Sequence, residues 1–108
     1  MNLIEQKCQP IAAGTPPISI NAGKDLAKEI PLWNLEEKLI SREFKFKDFQ
    51  QAMRFVNKVA ELAESESHHP DIYISYSKVR LVLSTHKIGG LSMNDFILGA
   101  KIDLVLEQ

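Results

Sequence analysis

All three histidines of this 108-residue chain flank one alternating run. His68-His69-Pro70 precede it and His86 follows it. Within it Ile72, Ile74 and Tyr76 alternate with Tyr73, Ser75 and Ser77, and Val79, Leu81 and Leu83 alternate with Arg80, Val82 and Ser84. A period of two predicts strands. The break at Ser77-Lys78 predicts a tight turn, and hence an antiparallel hairpin. A hairpin brings the chain back to its start, so the 68–69 end and the 86 end are expected to meet. Three imidazoles gathered at one end of a sheet make a candidate chemical site.

The remaining elements follow from period and punctuation. Residues 1–18 show neither period, and Gly14-Thr15-Pro16-Pro17 breaks helix and strand alike, which predicts an extended N-terminal arm, mobile or packed over the domain. Residues 19–108 are expected to form a single domain. Ser19 predicts an N-cap for a helix running to Ile30, where Pro31 closes it. Short strands are predicted over 33–36 and 39–46, with Ile40, Phe44 and Phe46 on one face. Arg42 interrupts that face, which suggests a strand near an edge or interface. Asp48 predicts the cap of a long helix to Glu66, striped by Phe49, Ala52, Met53, Val56, Val59, Ala60 and Ala63. Phe55 and Leu62 lie off that stripe, so the helix is buried on two sides within one chain or meets a second subunit. Lys87-Ile88-Gly89-Gly90 predicts a loop. Ser92 begins a last, unusually apolar helix, with Asp95 placed as in a capping box. The order α-β-β-α-β-β-α predicts an α+β fold: a four-stranded antiparallel sheet with three helices packed on one face.

Composition removes several function classes. Net charge is −1 and no basic run stands out, which argues against a nucleic-acid surface. No apolar stretch approaches a membrane span, and the first nine residues do not read as a secretory signal. The single cysteine, Cys8, excludes an internal disulfide and suits a reducing compartment. A soluble cytoplasmic domain is the expectation.

Histidine titrates near neutrality, so grouped imidazoles suit proton transfer. Neighbours on an extended chain point apart, so His68 and His69 are expected to divide their roles. A three-histidine zinc site is the rival, but no H-x-H or H-x-x-x-H spacing is present, and no metal is predicted. Glu64 and Asp95 are placed to hold a histidine by its far nitrogen. Asp95 is equally explained as a cap. Trp33 and Tyr76 offer a stacking surface or simple core, and Gly89-Gly90 reads better as a turn than as a phosphate loop.

Phe44-Lys45-Phe46-Lys47-Asp48-Phe49, Glu64 with His68-His69-Pro70, Tyr76-Ser77-Lys78-Val79, Leu83-Ser84-Thr85-His86 and Gly90-Leu91-Ser92 with Asp95 resemble the pterin-4a-carbinolamine dehydratases. The resemblance covers residues 19–106. The arm, with Cys8 and Gly14-Thr15-Pro16-Pro17, is similar to the longer bacterial and plastid branch. The family has the same α-β-β-α-β-β-α order.

The resemblance implies dehydration of 4a-hydroxytetrahydropterin to quinonoid dihydropterin, in recycling of the cofactor used by aromatic amino acid hydroxylases. The pterin is then the substrate, and no cofactor is implied. By position, His68 and His86 resemble the acid-base pair and His69 an orienting group. Ser67, Ser84, Thr85 and Lys87 fall where the family contacts the pterin, and Glu64 and Asp95 fall near the histidines. Ile72 departs from the tryptophan of animal members, which puts the covering of the outer pterin edge in question, and Ser77 departs from their common asparagine. A homodimer or homotetramer is implied. The alternative is a non-catalytic dimerisation or regulatory scaffold that uses the long-helix face around Phe55 and Leu62.

Overall fold

Asp48 accepts the Gln51 N–H at 2.8 Å and so starts the long helix α2, Phe49–Glu66. Its buried side chains are Ala52, Phe55, Val56, Val59, Ala63 and Glu66. The stripe is therefore rotated from the one the sequence suggests. Phe55 sits in its middle, against Phe44 at 4.7 Å and Phe46 at 5.2 Å between ring centroids. Phe49 and Ala60 face outward instead. Leu62 packs partly buried against the core, so Phe55 and Leu62 are occupied within the chain.

The computed structural model describes residues 2–106. Met1, at the end of the expected arm (1–18), and positions 107–108, at the end of the expected domain (19–108), lie outside the described residues. Around α2 are α1 (Ile20–Ala27), β1 (Asn34–Leu35), β2 (Ile40–Lys45), β3 (Asp71–Ser75), β4 (Lys78–Leu83) and α3 (Met93–Leu106). The fold is α+β in the order expected. The antiparallel sheet runs β1-β2-β4-β3. Its helix-facing side carries Ile40, Phe44, Val79, Leu81 and Leu83, packed with Phe96, Leu98 and Ile102 of α3. Glu43, Arg80 and Tyr73 lie across the opposite face, with Arg80 over the Tyr73 ring.

Three local expectations shift. α1 is capped by Ser19 but ends at Ala27, and residues 28–30 close in tighter bonds to residues 25–27. Pro31 disfavours helical geometry at Ile30, which turns inward to the core instead. β2 is an interior strand, not an edge. Arg42 is tolerated there because its Nη1 donates to Asp103 Oδ1 on α3 at 2.6 Å, and Trp33 Nε1 donates to the same oxygen at 2.9 Å. The hairpin turn is Tyr76-Ser77, one residue earlier than predicted, with Ser75 opposite Lys78. Either register keeps Ile72 and Ile74 on the leucine face, so alternation cannot choose between them. The Ser77 carbonyl, which accepts the Phe46 N–H at 2.8 Å, ties the turn to the neighbouring strand's exit. Tyr76 takes a left-handed φ of 51° there and is exposed.

The arm is docked rather than loose. A 3-10 turn, Leu3–Glu5, lies against α3 and buries Leu3 in the core. Among the described residues no helix is long and apolar enough to cross a membrane.

Candidate active site

The end of α2 builds the first wall. Ser67 N–H bonds the Glu64 carbonyl and His68 N–H bonds the Ala63 carbonyl, the paired closure of a Schellman motif. That closure needs a left-handed residue, and Ser67 supplies it at φ 54° without being glycine. The chain therefore reverses just before His68-His69-Pro70 and enters β3.

The exit of β4 builds the second wall. Thr85 and Gly90 pair across a small loop, with Thr85 N–H donating to the Gly90 carbonyl at 2.8 Å. A 3-10 turn, His86–Ile88, fills that loop and Gly89 closes it at φ 68°. The pairing fixes where His86 and Lys87 leave the sheet. Both are exposed.

Asp95 joins the two walls from behind. It lies in the first turn of α3 and is fully buried. Its Oδ2 accepts from the Ser92 N–H at 2.9 Å and the Thr85 hydroxyl at 2.8 Å. Its Oδ1 lies 2.6 Å from His68 Nε2. A carboxylate oxygen accepts, so Nε2 is the donating nitrogen of His68 in this pair and Nδ1 takes no part in it. The Ser92 hydroxyl, 2.7 Å from Thr85 Oγ1, completes the network and also receives the Asn94 N–H. Thr85 therefore spends its hydroxyl inside the protein. Ser84 likewise donates its hydroxyl to the Lys38 carbonyl at 2.8 Å. Neither hydroxyl is free to donate to a ligand without giving up that bond.

His69 Nε2 donates to Glu64 Oε2. Both side chains are largely exposed, so the pair orients the ring more than it stabilises the fold.

His68, His69 and His86 line one cavity of about 370 Å³. Ser67, Ser84, Thr85 and Lys87 line it too. That volume falls in the range of small-molecule sites, roughly 300–1,000 Å³. The hairpin thus gathers every residue expected to touch a ligand, and Asp95 and Glu64 stand behind two of the imidazoles. Trp33 is buried beside Phe44, Tyr76 sits in the hairpin turn, and Gly89 closes the 86–88 turn; none lines this cavity. Among the described residues no three His, Cys, Asp or Glu side chains are grouped to hold a metal ion.

The cavity has a third side. Gln9, Pro10 and Ile11 of the arm, with Asn94 of α3, complete it. The arm carries no period, so nothing in residues 1–18 marked these positions. Asn94 had one available signal, its place beside Asp95 at the start of α3. Cys8, two residues from Pro10, is half-buried, and its Sγ reaches the Asn94 carbonyl at 3.5 Å. Burial, then the nearby Glu66 carboxylate, pushes its thiol up to about 12. Burial works to raise the Glu66 carboxyl as well. The hydrogen bonds from Lys101 Nζ and the Cys8 N–H, with the Lys101 charge, outweigh it and hold Glu66 below the usual carboxylate range.

The sequence profile of the family described as pterin 4 alpha carbinolamine dehydratase matches residues 16–105. A relative from Nitrosomonas eutropha, named provisionally as a pterin-4-alpha-carbinolamine dehydratase, is 43% identical over 97% of this chain and 94% of its own. One from Alkaliphilus metalliredigens with the same provisional name is 44% identical over 94% of each chain. A crystal structure of a transcriptional coactivator/pterin dehydratase from Brucella melitensis superposes with a TM-score of 0.78 at 27% identity, covering 82% of this chain and 97% of that one.

Proposed function

The chain belongs to the pterin 4 alpha carbinolamine dehydratase family, and on that premise we propose that it eliminates water from a 4a-hydroxytetrahydropterin by histidine acid-base catalysis. The C4a–O bond breaks, N5 loses its proton, and a C4a=N5 double bond forms in the quinonoid dihydropterin. The elimination is redox-neutral, so the pterin enters as substrate and the step calls for no further cofactor.

His68 carries the reading. Its Nε2–H is tied to a buried carboxylate, so Nδ1 is the ring atom able to take a proton, and Asp95 stabilises the imidazolium that results. On this reading His68 removes the N5 proton and His86 protonates the departing hydroxyl. His69, steadied by Glu64, orients the pterin edge. Ser67, Ser84, Thr85 and Lys87 border the substrate, with Ser84 and Thr85 acting through backbone groups and side-chain surface because their hydroxyls are engaged. Positioned acid and base groups each contribute roughly 100- to 10,000-fold.

The physiological setting follows the same reading: return of a tetrahydrobiopterin-type cofactor after an aromatic amino acid hydroxylase, in the cytoplasm, where a free Cys8 thiol is at home. A homodimer or homotetramer is the expected assembly. β3 supports it, being an edge strand that exposes Tyr73 and Ile74. The scaffold alternative draws less support, because Phe55 is buried and Leu62 partly so within this chain.

A stopped-flow dehydration assay tests the function. Wild type is expected to accelerate loss of 4a-hydroxytetrahydropterin, with His68→Ala and His86→Ala each losing at least about 100-fold. A chelator is expected to leave the rate unchanged. Full activity in both variants would end the proposal.

A further inference from the structure

The arm borders the site through residues 9–11 and is held at both ends. At its inner end Asn94 clamps the Gln9 backbone two ways: its Oδ1 accepts the Gln9 N–H at 2.9 Å and its Nδ2 donates to the Gln9 carbonyl at 2.7 Å. One residue earlier, the Cys8 N–H donates to Glu66 Oε1 at 2.9 Å, and Lys101 Nζ holds the other oxygen of that carboxylate at 2.7 Å. At its outer end Ile18 N–H donates to the Leu91 carbonyl at 2.8 Å. Pro17 lies so close to Gly90 that a Cβ there would stand 2.8 Å from the Pro17 Cβ. Gly90 closes the loop that presents His86, and Asn94 adjoins the aspartate that holds His68. Both anchors of the arm are thus the same two segments that position the imidazoles.

Between the anchors, Pro10 and Ile11 face the cavity. The other walls present imidazoles, serines and a lysine. A flat heterocycle needs an apolar surface as well as polar edges, and binding sites generally combine the two. Pro10 is a rigid apolar group with φ fixed in advance. Ile11 is half-buried, with its remaining surface free for a ligand to cover.

We propose that residues 9–11 are a wall of the pterin site, with Pro10 and Ile11 as substrate-contact residues and Asn94 as the positioning residue that holds them there. This assignment rests on the dehydratase reading and adds to it a determinant of substrate affinity outside the histidine hairpin. The arm acts on binding and the histidines act on proton transfer, so the two separate kinetically.

The test compares Ile11→Ala, Ile11→Leu and Asn94→Ala with wild type, each checked for folding by circular dichroism. KM and kcat come from the dehydration assay. The dissociation constant of 7,8-dihydrobiopterin, which carries no leaving group, comes from fluorescence titration. Ile11→Ala and Asn94→Ala are expected to raise both KM and the dissociation constant roughly tenfold while kcat stays within about threefold. Ile11→Leu is expected to restore most of the loss. Hydrogen exchange at residues 9–12 is expected to slow when the dihydropterin binds, which a purely structural arm would not show. Wild-type KM and affinity in both alanine variants, or a loss confined to kcat, would overturn the arm assignment alone. A wild-type protein that neither binds nor dehydrates a pterin would overturn it together with the dehydratase reading.

Discussion

Asp95→Asn separates the structural duty of this carboxylate from its duty to His68. Asparagine can keep its single oxygen where Oδ2 now accepts from Ser92 N–H and the Thr85 hydroxyl. Its amide nitrogen then replaces Oδ1, opposite His68 Nε2. Two hydrogen bonds survive without their charge, and the third reverses direction. The cost to stability is about 1–3 kcal/mol, from weakening bonds to an ionised group. The cost to turnover is much larger. An amide donor facing Nε2 makes that nitrogen an acceptor and moves the ring proton to Nδ1, the atom assigned to take the N5 proton. The same replacement behind a serine protease histidine lowers kcat about 10,000-fold by fixing the wrong tautomer. A loss of roughly 100- to 10,000-fold is expected here. Urea unfolding gives the stability change, stopped-flow dehydration gives the rate, and nitrogen-15 spectra of the histidine ring give the tautomer. A variant with the reversed tautomer and turnover within threefold of wild type would refute the assignment of His68 as the base.

His86→Ala removes an exposed side chain that makes no ion pair among the described residues, so stability should stay within about 0.5 kcal/mol while turnover falls at least about 100-fold; urea unfolding and the dehydration assay check the two halves. Cys8 should react slowly with alkylating reagents at pH 8, because the rise from 9.0 to about 12 leaves roughly 1,000-fold less thiolate than an unperturbed cysteine; equal labelling rates in native and urea-unfolded protein would contradict its docked position. Glu66 is held below its ordinary 4.5, so its charged form stabilises the fold above that pH and the contribution disappears as pH falls through the lowered value. Glu66→Gln should therefore be less stable than wild type at pH 7, with the gap closing on acidification; a gap independent of pH would show that the Lys101 pair is not its source.

Period and punctuation made the sheet and helices legible because each element buries one face. Asp48 and Ser19 cap their helices as expected because their side-chain oxygens have one near partner to satisfy. Details set by contacts between distant segments were not legible. The Phe55 stripe is chosen by Phe44 and Phe46, the hairpin register by a bond from Phe46 to Ser77, and the fate of Arg42 by an aspartate on α3. The histidine cluster was legible for a topological reason, since two ends of a hairpin must meet. The arm's share in the cavity was not. Gln9, Pro10 and Ile11 owe their placement to Asn94 and Glu66, which lie far along the chain, and no local pattern encodes that pairing.

Asp95 shows why the bland and the functional reading of one residue need not compete. Read from its neighbours, it is the third residue after a cap, and the Ser92 N–H bond confirms that duty. A carboxylate has two oxygens, and capping engages one. The other is left inside a fully buried pocket, where an unpartnered charge costs several kcal/mol. Some donor has to meet it, and His68 does. Capping chemistry thus creates a demand that an imidazole satisfies, and satisfying it fixes the ring's tautomer and orientation. The adjacent Asn94 turns the same helix start toward the arm. One turn of helix therefore sets both the proton-transfer side and the apolar side of the cavity. Disruption of that turn as a whole should appear in kcat and KM together, whereas single side-chain variants should divide, His86→Ala in kcat and Asn94→Ala and Ile11→Ala in KM.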